Sequence, residues 1–354
     1  MEKIKDLKIL EFAAVLAGPL AGNLFSEMGA TVIKIENSRT GGDITRNWRT
    51  ESEDTSTSVS SYYAAANYKK NIVMADLRAG EDYNRVMKLV DKADVIISNF
   101  KPATASKLGV DFTTLRARNP RAIVAELIGY RSDPNRGAFD VLLQAQTGYL
   151  SMTGHPEAPF AKIPVAMIDV LAAHQLRAGI LTALFQRIQD GKGRRIKVDL
   201  YGAALSGLIN QGSAYLMNGD IAKPLGAAHP SIAPYGDVFY TADEIPLILA
   251  VGTDKQFISL CTILDIKVKE AWATNAGRVR DRDALKQELL ASIGKFTFKE
   301  LSDALHSNQV PFAKIQNVGE ALSDEQSEFY ILTSHQENQV LKALKTVTFE
   351  LLSE

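Results

Sequence analysis

Six short apolar runs punctuate the first 200 residues and limit what this chain can become: "LKILEF" (7–12), "TVIKIE" (31–36), "NIVMADL" (71–77), "DVIISNF" (94–100), "AIVAELIGY" (122–130) and "RIKVDL" (195–200). Most are nearly continuous in apolar residues, the pattern of strands covered on both faces. Helical spacing fills the gaps: Leu20, Leu24, Phe25 and Met28 in one, Tyr83, Val86, Met87 and Val90 in another. Alternating strand and helix predicts an α/β fold, a parallel sheet with helices on both faces.

After about residue 220 the texture changes. "LGAAHPSIAPYGDVFYTADEIPLILAVGT" carries three prolines and short alternating runs, predicting a small antiparallel unit. Helical stretches follow, with Asp281, Asp283 and Thr297 as candidate caps, and "VPFAKIQ" reads as a final strand. The polar stretch over 40–60 is a long loop, either mobile or wrapped over a site.

Composition narrows the function. With 354 residues, 46% hydrophobic and 23% charged, the chain can build two domains or one large one. A net charge of −1 provides no general attraction to nucleic acid or to an anionic membrane surface. No run is expected to span a bilayer, and "MEKIKDLKILEF" is unlike a signal peptide. The single cysteine, Cys261, precludes an internal disulfide framework and, within "FISLCTIL", reads as a small core residue; a cytoplasmic setting is expected. His155, His174, His229, His306 and His335 stand apart from one another and from Cys261, so no metal site is expected. There is no G-x-S-x-G elbow for a serine hydrolase.

Three features bear on a site. "LAGPLAG" joins the first strand to a helix; it fits an ordinary strand-to-helix turn or a seat for phosphate, yet it is neither G-x-G-x-x-G nor a Walker loop. The missing fingerprint argues against a nicotinamide oxidoreductase. Arg39, Arg46, Arg78, Lys101, Lys107 and Arg136 fall at or just past the carboxyl ends of the predicted strands, where open α/β sheets bind ligands. They fit a polyphosphate ligand or solvated surface. Finally, "KIPVAMIDVLAAHQLRAGILTALFQR" sets one acid, Asp169, in a long apolar run. A helix is expected from about Val170 to Gln189, with Leu171, Ile180, Leu184 and Ile188 facing the core and Gly191 or Gly193 ending it. Asp169 would then be an N-cap, or an anion kept ionised by the helix N-terminus and available as a nucleophile.

"AAVLAGPLAGNLFSEMGATVIKIE", "GGDITRNW", "NYKKNIVMADLR", "ADVIISNFKPATASKLGVDFTTLRARNPRAIVAELIGY", "FDVLLQAQTGYLSMTG", "PVAMIDVLAA" and "HPSIAPYGDVFYTAD" occur in that order. Together they resemble the family III CoA-transferases, a group that also includes alpha-methylacyl-CoA racemase. The resemblance covers roughly residues 5–322. It implies a Rossmann-like large domain over 1–220 that binds CoA, a smaller α+β domain over 221–325, and a helical tail over 326–354 returning towards the large domain. It further implies an interlocked homodimer, acyl-CoA and small carboxylic acids as substrates, and no permanently bound cofactor. Asp169 falls on the family's nucleophile, which forms an aspartyl anhydride. CoA contacts fall on Val15, Leu16, Ala17, Arg39, Ala75, Arg78, Asn99, Phe100, Lys101, Lys107 and Arg136, with Phe139 and Asp140 beside the thioester.

The sequence departs from the pattern in places. The racemase has a His-Asp pair where this chain has Phe139-Asp140, which removes one arm of a two-base proton transfer and favours the transferase. Asp254 lies near an acidic position of the racemase, so isomerisation stays open, as does a CoA-binding role without catalysis. The glycine-rich loop of formyl-CoA transferase is absent, and the family's "DG" turn reads Asp243-Glu244.

Overall fold

The computed structural model describes residues 3–336 and 339–352. Its central element is a six-stranded sheet built from β1 (Lys8–Phe12), β2 (Thr31–Asn37), β3 (Asn71–Ala75), β4 (Val95–Ser98), β5 (Ile123–Ile128) and β6 (Arg195–Asp199). Every pairing is parallel and the order is β3-β2-β1-β4-β5-β6, the Rossmann order. The strand order reverses between β1 and β4: β2 and β3 are added on one side of β1, and β4, β5 and β6 on the other. The crevice past the carboxyl ends of those two strands is where such sheets receive ligands.

Helices of this unit include α1 (Ala17–Glu27), α2 (Ser61–Ala64), α3 (Gly80–Val90), α4 (Pro102–Lys107), α5 (Phe112–Arg118) and α6 (Asp140–Gln146). After α7 (Tyr149–Met152) come α8 (Met167–Asp190), α9 (Leu200–Ser206) and α10 (Ile209–Asn218). Leu10, Phe12, Ile35, Ile96 and Val124 pack against Val86, Met87 and Val90 of α3 on one face of the sheet. On the other, α8 packs against α1, β5 and β6 through the buried Ile168, Ala172, Leu176 and Ile180. Ile188, expected in the core, is exposed on the outward face of α8, whereas Ile180 and Leu184 are buried.

Length and composition alone would let α8 cross a membrane, contrary to the sequence expectation, and half of its apolar window is buried inside the fold. It also buries Arg177 and Arg187. Arg177 donates to Leu20 O and to Thr346 Oγ1 (2.8 Å), and Arg187 to Asp94 Oδ1 (3.1 Å). The helix ends at Gly191, whose φ of 70° supplies the left-handed cap. Gly193 serves differently: a Cβ there would lie 2.3 Å from Ala122 O.

The chain divides into two compact units, residues 1–147 with 163–220 and 326–354, and residues 148–162 with 221–325. The second holds an antiparallel sheet of β7 (Tyr235–Tyr240), β8 (Pro246–Ala250) and β9 (Phe312–Lys314). Its helices include α11 (Asp254–Ile263), α12 (Asn275–Arg280), α13 (Arg282–Ile293) and α14 (Phe298–Ser307). Thr297 forms a capping box with Glu300 at the start of α14, while Asp281 makes no side-chain cap. Cys261 is buried in this unit's core with Phe257, Leu260 and Trp272.

Two sequence-based boundaries are corrected. Residues 148–162, expected in the large domain, group with the second unit. The tail, expected to be helical, is so only in a short 3-10 helix over Glu325–Tyr330: after α15 (Val318–Ser323) and that turn its described residues form an antiparallel hairpin of β10 (Ile331–Gln336) and β11 (Gln339–Leu344). Alternate residues Leu332, Ser334 and Leu341 turn inward, the period of a strand. Leu341 packs with Val59, Tyr63 and Ala64. The backbone amides of Thr346 and Val347 then each donate to Glu27 Oε2 at 2.9 Å, tying the tail to the end of α1.

Candidate active site

The turn after β1 is held by side chains from two distant segments. Asn99, just past β4, accepts from Ala14 N (3.1 Å) and donates to Ala14 O (2.8 Å), matching one residue's backbone on both sides. Asp43 accepts from Val15 N at 3.1 and 3.3 Å through its two oxygens. Val15 has φ 70°, left-handed backbone that a β-branched residue avoids. Such conformations cost about 1–3 kcal/mol and persist where the surroundings over-determine them. The turn delivers Leu16 and Ala17 to the start of α1. A side chain at Gly18 would meet Ala13 Cβ at 2.6 Å, which explains the glycine.

Below this turn lies a cleft of about 230 Å³. Val15, Leu16, Ala17, Asn99, Phe100, Lys101, Arg136, Phe139, Asp140 and Asp169, all expected site residues, line it. Asp169 arrives there as the third residue of α8. The helix starts at Met167, earlier than the sequence suggested, so Asp169 is not its N-cap. Asp140, at the first position of α6, supplies the missing acceptor: its Oδ2 accepts from Ile168 N (2.7 Å), and its Oδ1 accepts from Gln144 Nε2 (2.5 Å). Gln144 is fixed in turn by Ile163 N donating to its Oε1 at 2.8 Å.

Burial, and then the nearby negative charge of Asp140, raise the Asp169 pKa to about 7. A carboxyl so tuned is poised between its two forms at neutral pH, as groups with a chemical task often are. Tyr62 feels the same pair. Burial, then the charges of Asp169, Asp140 and Asp43, raise its pKa, and its ring meets Trp48 edge-on at 5.1 Å.

The cations divide. Lys101 and Arg136 reach the cleft, with the Arg136 guanidinium 4.3 Å from the centre of the Tyr130 ring. Arg39, Ala75, Arg78 and Lys107 do not line it. Arg39 lies 3.7 Å from Asp76, and Arg78 N donates to Asp76 Oδ1, so Arg39 and Arg78 group just beyond the carboxyl ends of β2 and β3, next to Ala75, the last residue of β3. Lys107 is exposed in the last turn of α4. Arg46 is no surface cation: it is buried, donating to Glu36 Oε2 (2.8 Å) and to the Tyr63 hydroxyl (2.9 Å).

Arg46 belongs to a buried ionic network that the sequence reading missed. Glu11 and Lys34 are cross-strand neighbours on β1 and β2, both fully buried. Lys34 Nζ donates to Asp43 Oδ2 (2.7 Å) and Asn67 Oδ1 (2.9 Å), and Lys70 Nζ donates to Glu11 Oε2 (2.8 Å) and Pro19 O (2.7 Å). Glu36 closes the network through Arg46 and the Tyr63 hydroxyl (2.6 Å). Charged residues inside two otherwise apolar strand runs, Glu11 in the first and Lys34 and Glu36 in the second, were the available signal. This network also accounts for the start of the 40–60 loop, which is stitched to the sheet at Asp43 and Arg46. Among the described residues, no cluster of three or more His, Cys, Asp or Glu is suited to a metal ion.

A parallel Rossmann-order sheet with a carboxyl-bearing cleft at its switch point places the chain among α/β proteins that take a ligand at that edge. The chain belongs to CoA-transferase family III, whose profile matches residues 4–351. It is 37% identical over 332 residues to a succinate–glutarate CoA-transferase of Agrobacterium fabrum, covering 91% of this chain and 82% of that one. It is 30% identical over 334 residues to a succinyl-CoA:mesaconate CoA-transferase of Haloarcula hispanica, covering 92% and 83%. In three dimensions it is similar to a CAIB/BAIF family protein from Brucella suis, with a TM-score of 0.83 at 32% identity over 98% of this chain and 92% of that one. The protein is an enzyme of this family, a CoA-transferase acting on CoA thioesters.

Proposed function

We propose that this enzyme moves CoA between short dicarboxylic acids, with Asp169 as the covalent nucleophile. The Asp169 carboxylate attacks the acyl carbon of the thioester; the carbon–sulfur bond breaks and CoA leaves as the thiolate, giving an acyl-aspartyl anhydride. The thiolate attacks the aspartyl carbonyl and expels the donor acid, leaving an aspartyl-CoA thioester. The acceptor carboxylate attacks that thioester and releases the thiolate. The thiolate then takes the acceptor acyl group and frees Asp169. Atoms balance without an external oxidant, reductant or water.

One observation carries the reading: Asp169 lines the switch-point cleft, while the first-turn N–H of Ile168 is accepted by Asp140, so the start of α8 does not depend on Asp169. Val15, Leu16, Ala17, Asn99 and Phe100 would line the thioester arm. Lys101 and Arg136 supply positive charge at the cleft, and Arg39 and Arg78 lie further along the same sheet edge for the nucleotide end. Succinate, glutarate and mesaconate, in the relatives' names, are all dicarboxylates, which supports that substrate class.

Intact-protein mass spectrometry after incubation with succinyl-CoA tests it. A covalent adduct is expected that hydroxylamine removes and that Asp169→Ala lacks. An adduct that persists in that variant would refute the assignment. The racemase alternative finds little support, since Phe139 offers no base and Asp254 is paired with Arg278 at 2.7 Å.

A homodimer is part of the same proposal. No residue of α10 is buried in the single chain, and Ile209, Tyr215, Leu216 and Met217 are exposed there. Leu181, Phe185 and Ile188 of α8 are exposed as well. A second copy of the chain would cover these faces, and sedimentation at micromolar concentration should give twice the chain mass; a monomer would contradict it.

A further inference from the structure

We propose that Asp43 is a positioning residue for acyl transfer: its buried carboxylate keeps Val15 in left-handed backbone and thereby fixes the wall that Val15, Leu16 and Ala17 present to the Asp169 cleft. The proposal rests on the reading of Asp169 as nucleophile and adds a residue that touches neither substrate nor reacting atom.

The geometry is specific. Asp43 is 4% exposed. Its Oδ2 accepts from Val15 N (3.1 Å) and Lys34 Nζ (2.7 Å); its Oδ1 accepts from Thr45 N (3.0 Å) and Thr45 Oγ1 (2.8 Å). Every lone-pair direction meets a donor, so an ionised carboxylate is the group that fits. Asparagine would turn one oxygen into a donor facing other donors. Burial works against the charge at Asp43, but the Lys34 ammonium and the bonds from Lys34 and Thr45 outweigh it and hold the pKa below the usual carboxylate range.

Val15 is where that anchoring acts. At φ 70° valine is disfavoured while glycine is not. Without the Asp43 acceptor, Val15 can relax towards negative φ, and the residues that follow it into α1 must shift with it. The cost of losing Asp43 should therefore depend on which residue stands at position 15, a dependence that general destabilisation would not produce.

A double-mutant cycle with Asp43→Asn and Val15→Gly measures this dependence and cancels whatever Val15→Gly does by itself. The readouts are the rate of adduct formation on Asp169 from succinyl-CoA, kcat and KM separately, and the melting temperature. Asp43→Asn should slow adduct formation about 100-fold, the scale of an ångström-sized misplacement, mainly through kcat. With glycine at position 15 the same substitution should cost less than about tenfold. An equal cost in both backgrounds, or a loss of thermal stability with an unchanged rate, would overturn the proposal. If Asp43→Asn does not fold, Thr45→Val removes only the Oγ1 bond to Asp43; a slowing of about threefold, again smaller in the Val15→Gly background, supports the proposal, and none overturns it. Asp169→Ala is the control: an adduct surviving in it refutes the nucleophile, whereas a silent Asp169→Ala with an additive cycle refutes Asp43 alone.

Discussion

Asp140 Oδ2 accepts the backbone N–H of Ile168 at 2.7 Å, so the carboxylate that satisfies the start of α8 comes from α6 and not from α8 itself. This one bond separates two roles that sequence pattern alone assigns to Asp169. The structural task falls to Asp140. Asp169, one residue past the bonded amide, is left facing the cleft, with a like charge near enough to raise its pKa.

Activity should therefore rise with pH. Burial and Asp140 place the Asp169 pKa at about 7, and only the anion attacks. The rate of adduct formation should climb about tenfold per pH unit on the acid side of that value and level off above it. Asp140→Asn removes the like charge, so the Asp169 pKa falls and the midpoint moves to lower pH. Single-turnover rates between pH 5 and 9 check both; a midpoint that rises in Asp140→Asn would contradict the assignment.

The same shift bears on stability. Asp169 has a folded pKa of about 7 against 3.8 for an unperturbed aspartate, so between those values the folded state binds more protons than the unfolded chain. Stability then falls as pH rises through this window. The penalty is absent below about 3.8 and complete above about 7. Asp169→Asn should stabilise the protein by a few kcal/mol at most (~1.4 kcal/mol per pKa unit) at pH 8 and by much less at pH 5. Urea unfolding at the two pH values reads the difference; equal effects would contradict it.

Lys34 is fully buried among Asp43, Glu11 and Glu36. Lys34→Met leaves acidic groups in the core without their cation. Breaking a buried pair from one side costs about 3–5 kcal/mol, and denaturant unfolding should show a loss of that size. A loss under about 1 kcal/mol, the range of exposed ion pairs, would show that the network contributes little.

The tail is held by Glu27, whose two oxygens accept from Thr346 N, Thr346 Oγ1 and Val347 N. Glu27→Ala should lower stability by about 1–3 kcal/mol and raise amide exchange at 346 and 347. Unchanged exchange there would contradict the contact.

Strand positions were readable because strands covered on both faces are nearly continuous apolar runs, and the six runs became β1 to β6. Their order was not, since pairing is a long-range choice that no local pattern records. The start of α8 was misplaced because Ala166 and Met167 carry no capping signal; the cap is a side chain 28 residues upstream. The tail misled for a different reason. "VLKAL" is rich in helix formers, but Leu341 finds its partners in Val59, Tyr63 and Ala64, and packing selects the strand. The Val15 anchor was invisible for a similar reason: nothing near residue 15 shows that Asp43 will accept its amide.

The most direct test of the central claim follows oxygen. The acceptor carboxylate attacks an aspartyl thioester, so one acceptor oxygen must remain on Asp169 when the acceptor acyl group leaves as its CoA ester. Turnover of succinyl-CoA with glutarate carrying heavy oxygen should place first one and then two heavy oxygens in the side chain of Asp169, read by peptide mass spectrometry. Full turnover with an unlabelled Asp169 would mean that acyl groups pass without bonding to it, and the account would fail.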